Sequence, residues 1–158
     1  MLWGRLQISG GSRQYGVRKS LFYYQPDQFP DGFYHSGWNW STWTSWSRTN
    51  GYEAVDRSYD YPHVAALHWT MYRLARNHAG LVTNHPWDWY LAHAYRTAIA
   101  MVEFAPQLAQ YGPMEGTVFL EILRDLKREG WNQQAAQLED TMKKREAVWT
   151  HLAYPFGS

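Results

Sequence analysis

The sequence predicts a mainly α-helical chain: antiparallel helical hairpins preceded by an aromatic-rich loop and short-strand segment. Apolar residues recur at helical spacing in four stretches after residue 57. Glycine, asparagine and proline punctuate those stretches where helices start and stop. Before residue 58 no helical period is visible. The 158 residues amount to one domain's worth of chain. We divide them into an aromatic-rich segment, 1–57, and two helical hairpins, 58–158, which together form one incomplete domain.

The first segment opens without pattern. Leu21-Phe22-Tyr23-Tyr24 reads as a short strand, ended by the turn-rich Gln25 to Gly32 stretch. Trp38, Trp40, Trp43 and Trp46 then stand among Ser and Thr, with neither strand alternation nor a helix stripe. Such a stretch either plugs a neighbouring hydrophobic surface or lines a groove.

The first helix, Ser58 to Asn77, organises the rest. Pro62 suits a first turn, where its missing N–H has no partner anyway. Ser58 and Asp60 are capping residue types. Val64, Leu67, Met71 and Leu74 form a stripe that Ala65, Trp69 and Tyr72 widen, so the helix is buried on most sides. Its first turn carries Asp60, Tyr61 and His63, a polar mouth on an apolar body.

Gly80 ends this region, and Asn84 and Pro86 start a second helix over about 86–105. Its buried side holds Tyr90, Leu91, Ala94, Tyr95, Ala98, Ile99 and Val102. A third helix, about 114–129, opposes Val118, Phe119, Ile122, Leu123 and Leu126 to Glu121, Arg124, Asp125, Lys127 and Arg128. Gly130 closes it and Asn132 opens a fourth, whose narrow seam is Ala135, Leu138, Met142, Trp149 and Leu152. The Met142 to Glu146 charge run reads as the solvated face. Short connections at about 78–85 and 129–132 make antiparallel neighbours, which leaves the first and third helices parallel.

Composition excludes several classes. A formal charge of +1 gives no field for nucleic acid or an anionic membrane surface. No cysteine is present, so there are no disulfides and no thiolate zinc sites. No run nears the roughly 18 apolar residues of a membrane span. Gly10, Gly11, Ser12 and Arg13 interrupt any signal-peptide core after Met1. No phosphate loop, nucleophile elbow or metal-ligand set is present, and no cofactor is expected. His68, His78, His85, His93 and His151 read as ordinary partly buried or surface histidines. The informative excess is aromatic: 18% of residues, with ten tryptophans and twelve tyrosines. Such rings fill a core or stack on sugars, through an apolar face and a polar edge.

Asp60 and Glu115 begin two helices expected to run parallel. Paired carboxylates at one end of a scaffold are what glycoside hydrolysis uses, one as acid and one as base or nucleophile. Trp38 and Trp40 are candidate stacking platforms; Tyr61, His63 and Tyr111 are candidate hydrogen-bonding residues. The bland account makes Asp60 a cap and Glu115 a favourable charge at the positive helix end. That end also favours the ionised carboxylate, which opposes a general acid.

Several motifs together carry a family resemblance. They are Gly16-Val17-Arg18-Lys19, Leu21-Phe22-Tyr23-Tyr24, Gly37-Trp38-Asn39, Thr42-Trp43-Thr44-Ser45-Trp46, Tyr59-Asp60-Tyr61-Pro62-His63-Val64 and Gly112-Pro113-Met114-Glu115-Gly116. The set resembles an uncharacterised six-hairpin, glycosidase-like family, over nearly the whole chain. The resemblance implies an (α/α) toroid of about six hairpins around a sugar-binding cleft, with carbohydrate as partner and an extracellular setting. The sequence supplies only about two hairpins and is read as a partial domain, whose exposed helix faces predict self-association. The functional expectation is a carbohydrate-active, glycoside hydrolase-like domain. A non-catalytic helical scaffold and a sugar-binding module are the alternatives.

Overall fold

Apolar spacing and punctuation produce four α-helices in the computed structural model, which describes residues 3–35, 37, 46–106 and 116–150. They are α1 (Asp60–Asn77), α2 (Trp87–Phe104), α3 (Thr117–Arg128) and α4 (Asn132–Thr150). The chain is mainly α. A 3-10 turn at Pro26–Gln28 lies within the first segment.

The expected strand at Leu21–Tyr24 does not form, and no named strand occurs among the described residues. Phe22 is 84% exposed. Tyr24 N–H donates to the Trp46 carbonyl at 2.7 Å, which joins two loops without building a ladder. The order that the segment does have comes from bridges that pair Gln7 with Trp3 and with Val17. Gln7 and Val17 are fully buried, so this segment packs onto the helices. Gly16 permits the close approach: a Cβ there would stand 2.9 Å from the Arg13 carbonyl oxygen and 3.1 Å from Val55 Cγ1.

The core is one cluster, with Tyr61, Val64, Ala65 and Tyr72 from α1 and Leu91, Ala94, Ala98 and Met101 from α2. Phe119, Ile122, Leu126 and Leu138 extend it into α3 and α4. Contacts between α1 and α2 run in opposite order along the chain. Arg76 and Tyr72 meet Trp87, and His68 meets Trp89 and His93. Contacts between α1 and α3 run in the same order. Trp69 Nε1 donates to Asp125 Oδ2 at 2.8 Å, and the Tyr72 hydroxyl donates to Glu129 Oε1 at 2.8 Å.

Sequence reading placed several side chains wrongly. Neither Ser58 nor Asp60 caps α1, whose N-cap is Tyr59 with no side-chain cap bond. Helix α2 starts behind Pro86, not under an Asn84 cap. Its buried side is completed by His93, Thr97 and Ala100, while Ile99 and Val102 are only half-buried. Asp125, assigned to the polar face of α3, is buried: it accepts from Trp69 and pairs with Arg128 at 2.8 Å, so its charge is offset inside the interface. Arg145 is buried and not part of a solvated run, because positions 138, 142 and 145 follow one helical seam. Trp149 and Leu152, the rest of that seam, lie outside the residues whose side chains are described.

The α3–α4 link is a local device. Gly130 takes φ 78°. Its N–H donates to the Lys127 carbonyl at 3.2 Å and Trp131 N–H donates to the Leu126 carbonyl at 2.8 Å. These two bonds make the Schellman stop, and they return Trp131 to the core edge.

Candidate functional site

Asp60 is the first residue of α1, placed where the chain turns out of the segment before it. Main-chain bonds from Asp60 N–H to the Arg57 carbonyl, 3.3 Å, and from Tyr61 N–H to the Ser58 carbonyl, 3.2 Å, shape that turn. The carboxyl is enclosed on one side. Its Oδ2 is buried with no hydrogen-bond partner, and so is the neighbouring Ser58 Oγ. Its Oδ1 stands 3.4 Å from Arg57 Nη1. Burial pushes the Asp60 carboxyl up to about 6, against the opposing pull of Arg57, His63 and Lys19. Desolvation of the charged form wins here over the positive helix end and the basic neighbours. A carboxyl with that midpoint holds or releases a proton near neutrality, which is what a general acid requires.

The expected site residues divide. Asp60, Tyr61 and His63 share the first turn of α1, with His63 exposed. Tyr61 was expected to touch a ligand and does not: it is fully buried, and its hydroxyl donates to the Val55 carbonyl at 2.6 Å. Burial raises its pKa further, so it remains a neutral strut between α1 and the preceding loop. Trp38, Trp40, Tyr111 and Glu115 lie outside the described residues.

A second polar cluster sits about two turns beyond Asp60 along α1, and its histidines are not the ordinary ones expected. His68 and His93 are 3% and 6% exposed. Gln7 knits them together. Its Nε2 donates to Thr97 Oγ1 at 2.6 Å and to the Tyr15 carbonyl at 3.2 Å, so its Oε1 accepts from His68 Nε2, 2.8 Å away. The Thr97 hydroxyl donates to the His93 carbonyl at 2.6 Å, and His93 Nδ1 donates to the Trp89 carbonyl at 2.7 Å. The Trp89 ring stacks on His93 at 3.5 Å and on His85 at 4.0 Å. Burial lowers His68 to about 3 and His93 to about 4, so both rings are neutral at physiological pH. One signal for this cluster was available: His68 falls between Val64 and Tyr72 at successive i, i+4 positions of the buried stripe.

A family of unknown function, DUF5695, matches residues 1–158. The chain belongs to DUF5695. No curated protein matches it, and no solved structure does. In this DUF5695 member no three His, Asp or Glu side chains converge as a metal-binding group among the described residues. Nor, among the described residues, is any helix long and apolar enough to cross a membrane. The chemistry that the described geometry offers is proton transfer at Asp60.

Proposed function

We propose that this chain is a carbohydrate-active, glycoside hydrolase-like domain whose cleft opens at the N-terminal ends of α1 and α3. The observation that carries the reading is the Asp60 carboxyl, half-enclosed at a helix start and raised to about 6 by burial. In the proposed reaction Asp60 protonates the glycosidic oxygen as the bond to the anomeric carbon breaks. Glu115 acts on the anomeric carbon, directly or through a water that it deprotonates, and the separation of the two carboxyls decides which. His63 and Tyr111 hold sugar hydroxyls, and Trp38 and Trp40 stack on the rings. The reversed order of the contacts between α1 and α2 supports reading those two as an antiparallel hairpin. Such hairpins are the unit from which an (α/α) toroid is assembled.

Release of reducing ends from a panel of polysaccharides tests the reading. Asp60→Asn and Glu115→Gln are each expected to reduce cleavage by at least a hundredfold, which corresponds to about 2.7 kcal/mol of barrier. Circular dichroism should stay near wild type, and neither variant should melt below it. Full activity in either variant would sink the assignment. A second reading, a sugar-binding module without chemistry, draws on the Arg57–Asp60 ion pair, which gives the carboxylate a structural role. It predicts saturable sugar binding, retained in both variants, with no cleavage.

A further inference from the structure

We propose that the groove between α2 and α4, lined also by Tyr15, binds a neutral oligosaccharide through side-chain amides. The inference deepens the carbohydrate reading and rests on it for the choice of ligand. It concerns a surface that the reaction at Asp60 does not use.

The groove encloses about 360 Å³, with Tyr15, Tyr95, Arg96, Glu103, Gln134 and Gln137 among its lining residues. Tyr15 is the one non-glycine residue at positive φ among the described residues, at 70°. A bulky L-residue adopts that conformation only against steric resistance, so something holds it there. Its N–H donates to the Ile8 carbonyl at 2.9 Å. Its ring packs at 5.2 Å on Trp3 and at 5.3 Å on His93. Its hydroxyl accepts from Arg96 Nη1 at 2.8 Å, and the guanidinium carbon stands 5.3 Å from the ring centroid. The strained backbone therefore delivers a tyrosine, fixed from behind, to the groove wall.

The chemistry of the lining selects the ligand. Arg96 and Glu103 lie seven residues apart on one face of α2, and their charges cancel. Without a surplus of cations the groove has no hold on phosphates or nucleic acid. An apolar ligand would strip water from the glutamines and give nothing in return. The Tyr95 hydroxyl donates to Gln137 Oε1, which orients that amide and leaves its N–H donors for another acceptor. Amides that both donate and accept match sugar hydroxyls, which also do both.

Isothermal titration calorimetry of the whole chain tests this with cellohexaose, xylohexaose, maltohexaose and chitohexaose in turn. At least one is expected to bind saturably, with a Kd weakened tenfold or more in Gln134→Ala/Gln137→Ala. Gln134→Glu/Gln137→Glu keeps side-chain size and helix propensity, guards against a folding artefact, and should weaken binding as much. Unchanged binding in both folded double variants overturns the proposal, and so does a folded wild type that binds none of the four. Cleavage by Asp60→Asn is read separately. If cleavage depends on Asp60 while sugar binding survives both groove variants, the groove falls and the hydrolase reading stands. If the groove variants lose binding and no cleavage depends on Asp60, the hydrolase reading falls and the groove stands.

Discussion

Helix α1 buries polar groups at two places, and burial has opposite consequences in them. At Asp60 it raises a carboxyl to about 6, which puts a transferable proton within reach of neutral pH. At His68, and across the interface at His93, it lowers imidazoles to about 3 and about 4, which removes their proton from the physiological range. The physical cause is the same: low dielectric favours the neutral form of any group. The acid gains reactivity by this shift and the bases lose it. The amide of Gln7 engages His68, Thr97 and the Tyr15 carbonyl, while Asp60 Oδ2 and His93 Nε2 are each buried without a partner. An atom without a partner therefore occurs at both places, and what separates them is the sign of the shift that burial imposes.

The contrast can be broken most strongly with acid. The folded pKa values of His68 and His93 lie below the ordinary 6.5. Below that value the unfolded chain therefore binds more protons than the folded one, and stability present above pH 6.5 is lost as pH falls toward 4. The pair should account for on the order of 4 kcal/mol between pH 7 and pH 4, allowing for some contact of His93 with water. Urea unfolding measures the loss, and NMR of the two imidazoles should show no midpoint above pH 5. Next in size is Gln7→Leu, which strands the His68 N–H and the Tyr15 carbonyl and should cost about 3 kcal/mol. A loss below about 1 kcal/mol would mean that the network is ornamental.

Asp60→Asn acts at the other place and with the other sign. The folded carboxyl sits above its ordinary 3.8, so its ionisation penalises the fold above pH 6 and not below pH 4. The amide should therefore stabilise the chain by about 1 kcal/mol at pH 8 and leave it unchanged at pH 4. Destabilisation at pH 8 would show that Asp60 is a structural anion. The smallest effect belongs to Arg57→Ala. Its partly exposed pair should be worth no more than about 0.5 kcal/mol, yet removing it should move the Asp60 NMR midpoint upward.

Much of the fold was legible because it is local. Val118, Phe119, Ile122, Leu123 and Leu126 repeat at helical spacing, and all five are buried in α3. Gly130 stops that helix through its own positive φ, a property visible in one letter of sequence. The errors cluster where a partner distant in sequence decides. Asp125 is buried because Trp69 donates to it from α1, and nothing within α3 announces that. His68 is buried because Gln7 reaches it from the first segment. Of the candidate site, Asp60 was legible as a carboxylate at a helix start. Its raised pKa was not, because spacing shows the helix end that favours charge and hides the enclosure that opposes it. Tyr61 looked available because it shares the polar first turn with Asp60 and His63, and its occupancy by the Val55 carbonyl depends on a loop with no period to read.

The reach of Gln7 has a consequence in time as well as in energy. Its bonds join it to His68, 61 residues away, and to Thr97, 90 residues away. Contacts of such separation close large loops, so they form after the neighbouring helices α1 and α2 have paired. The amide then acts as a latch set at the end of folding rather than as part of its nucleus. Its removal should leave the refolding rate nearly unchanged and appear almost entirely as faster unfolding.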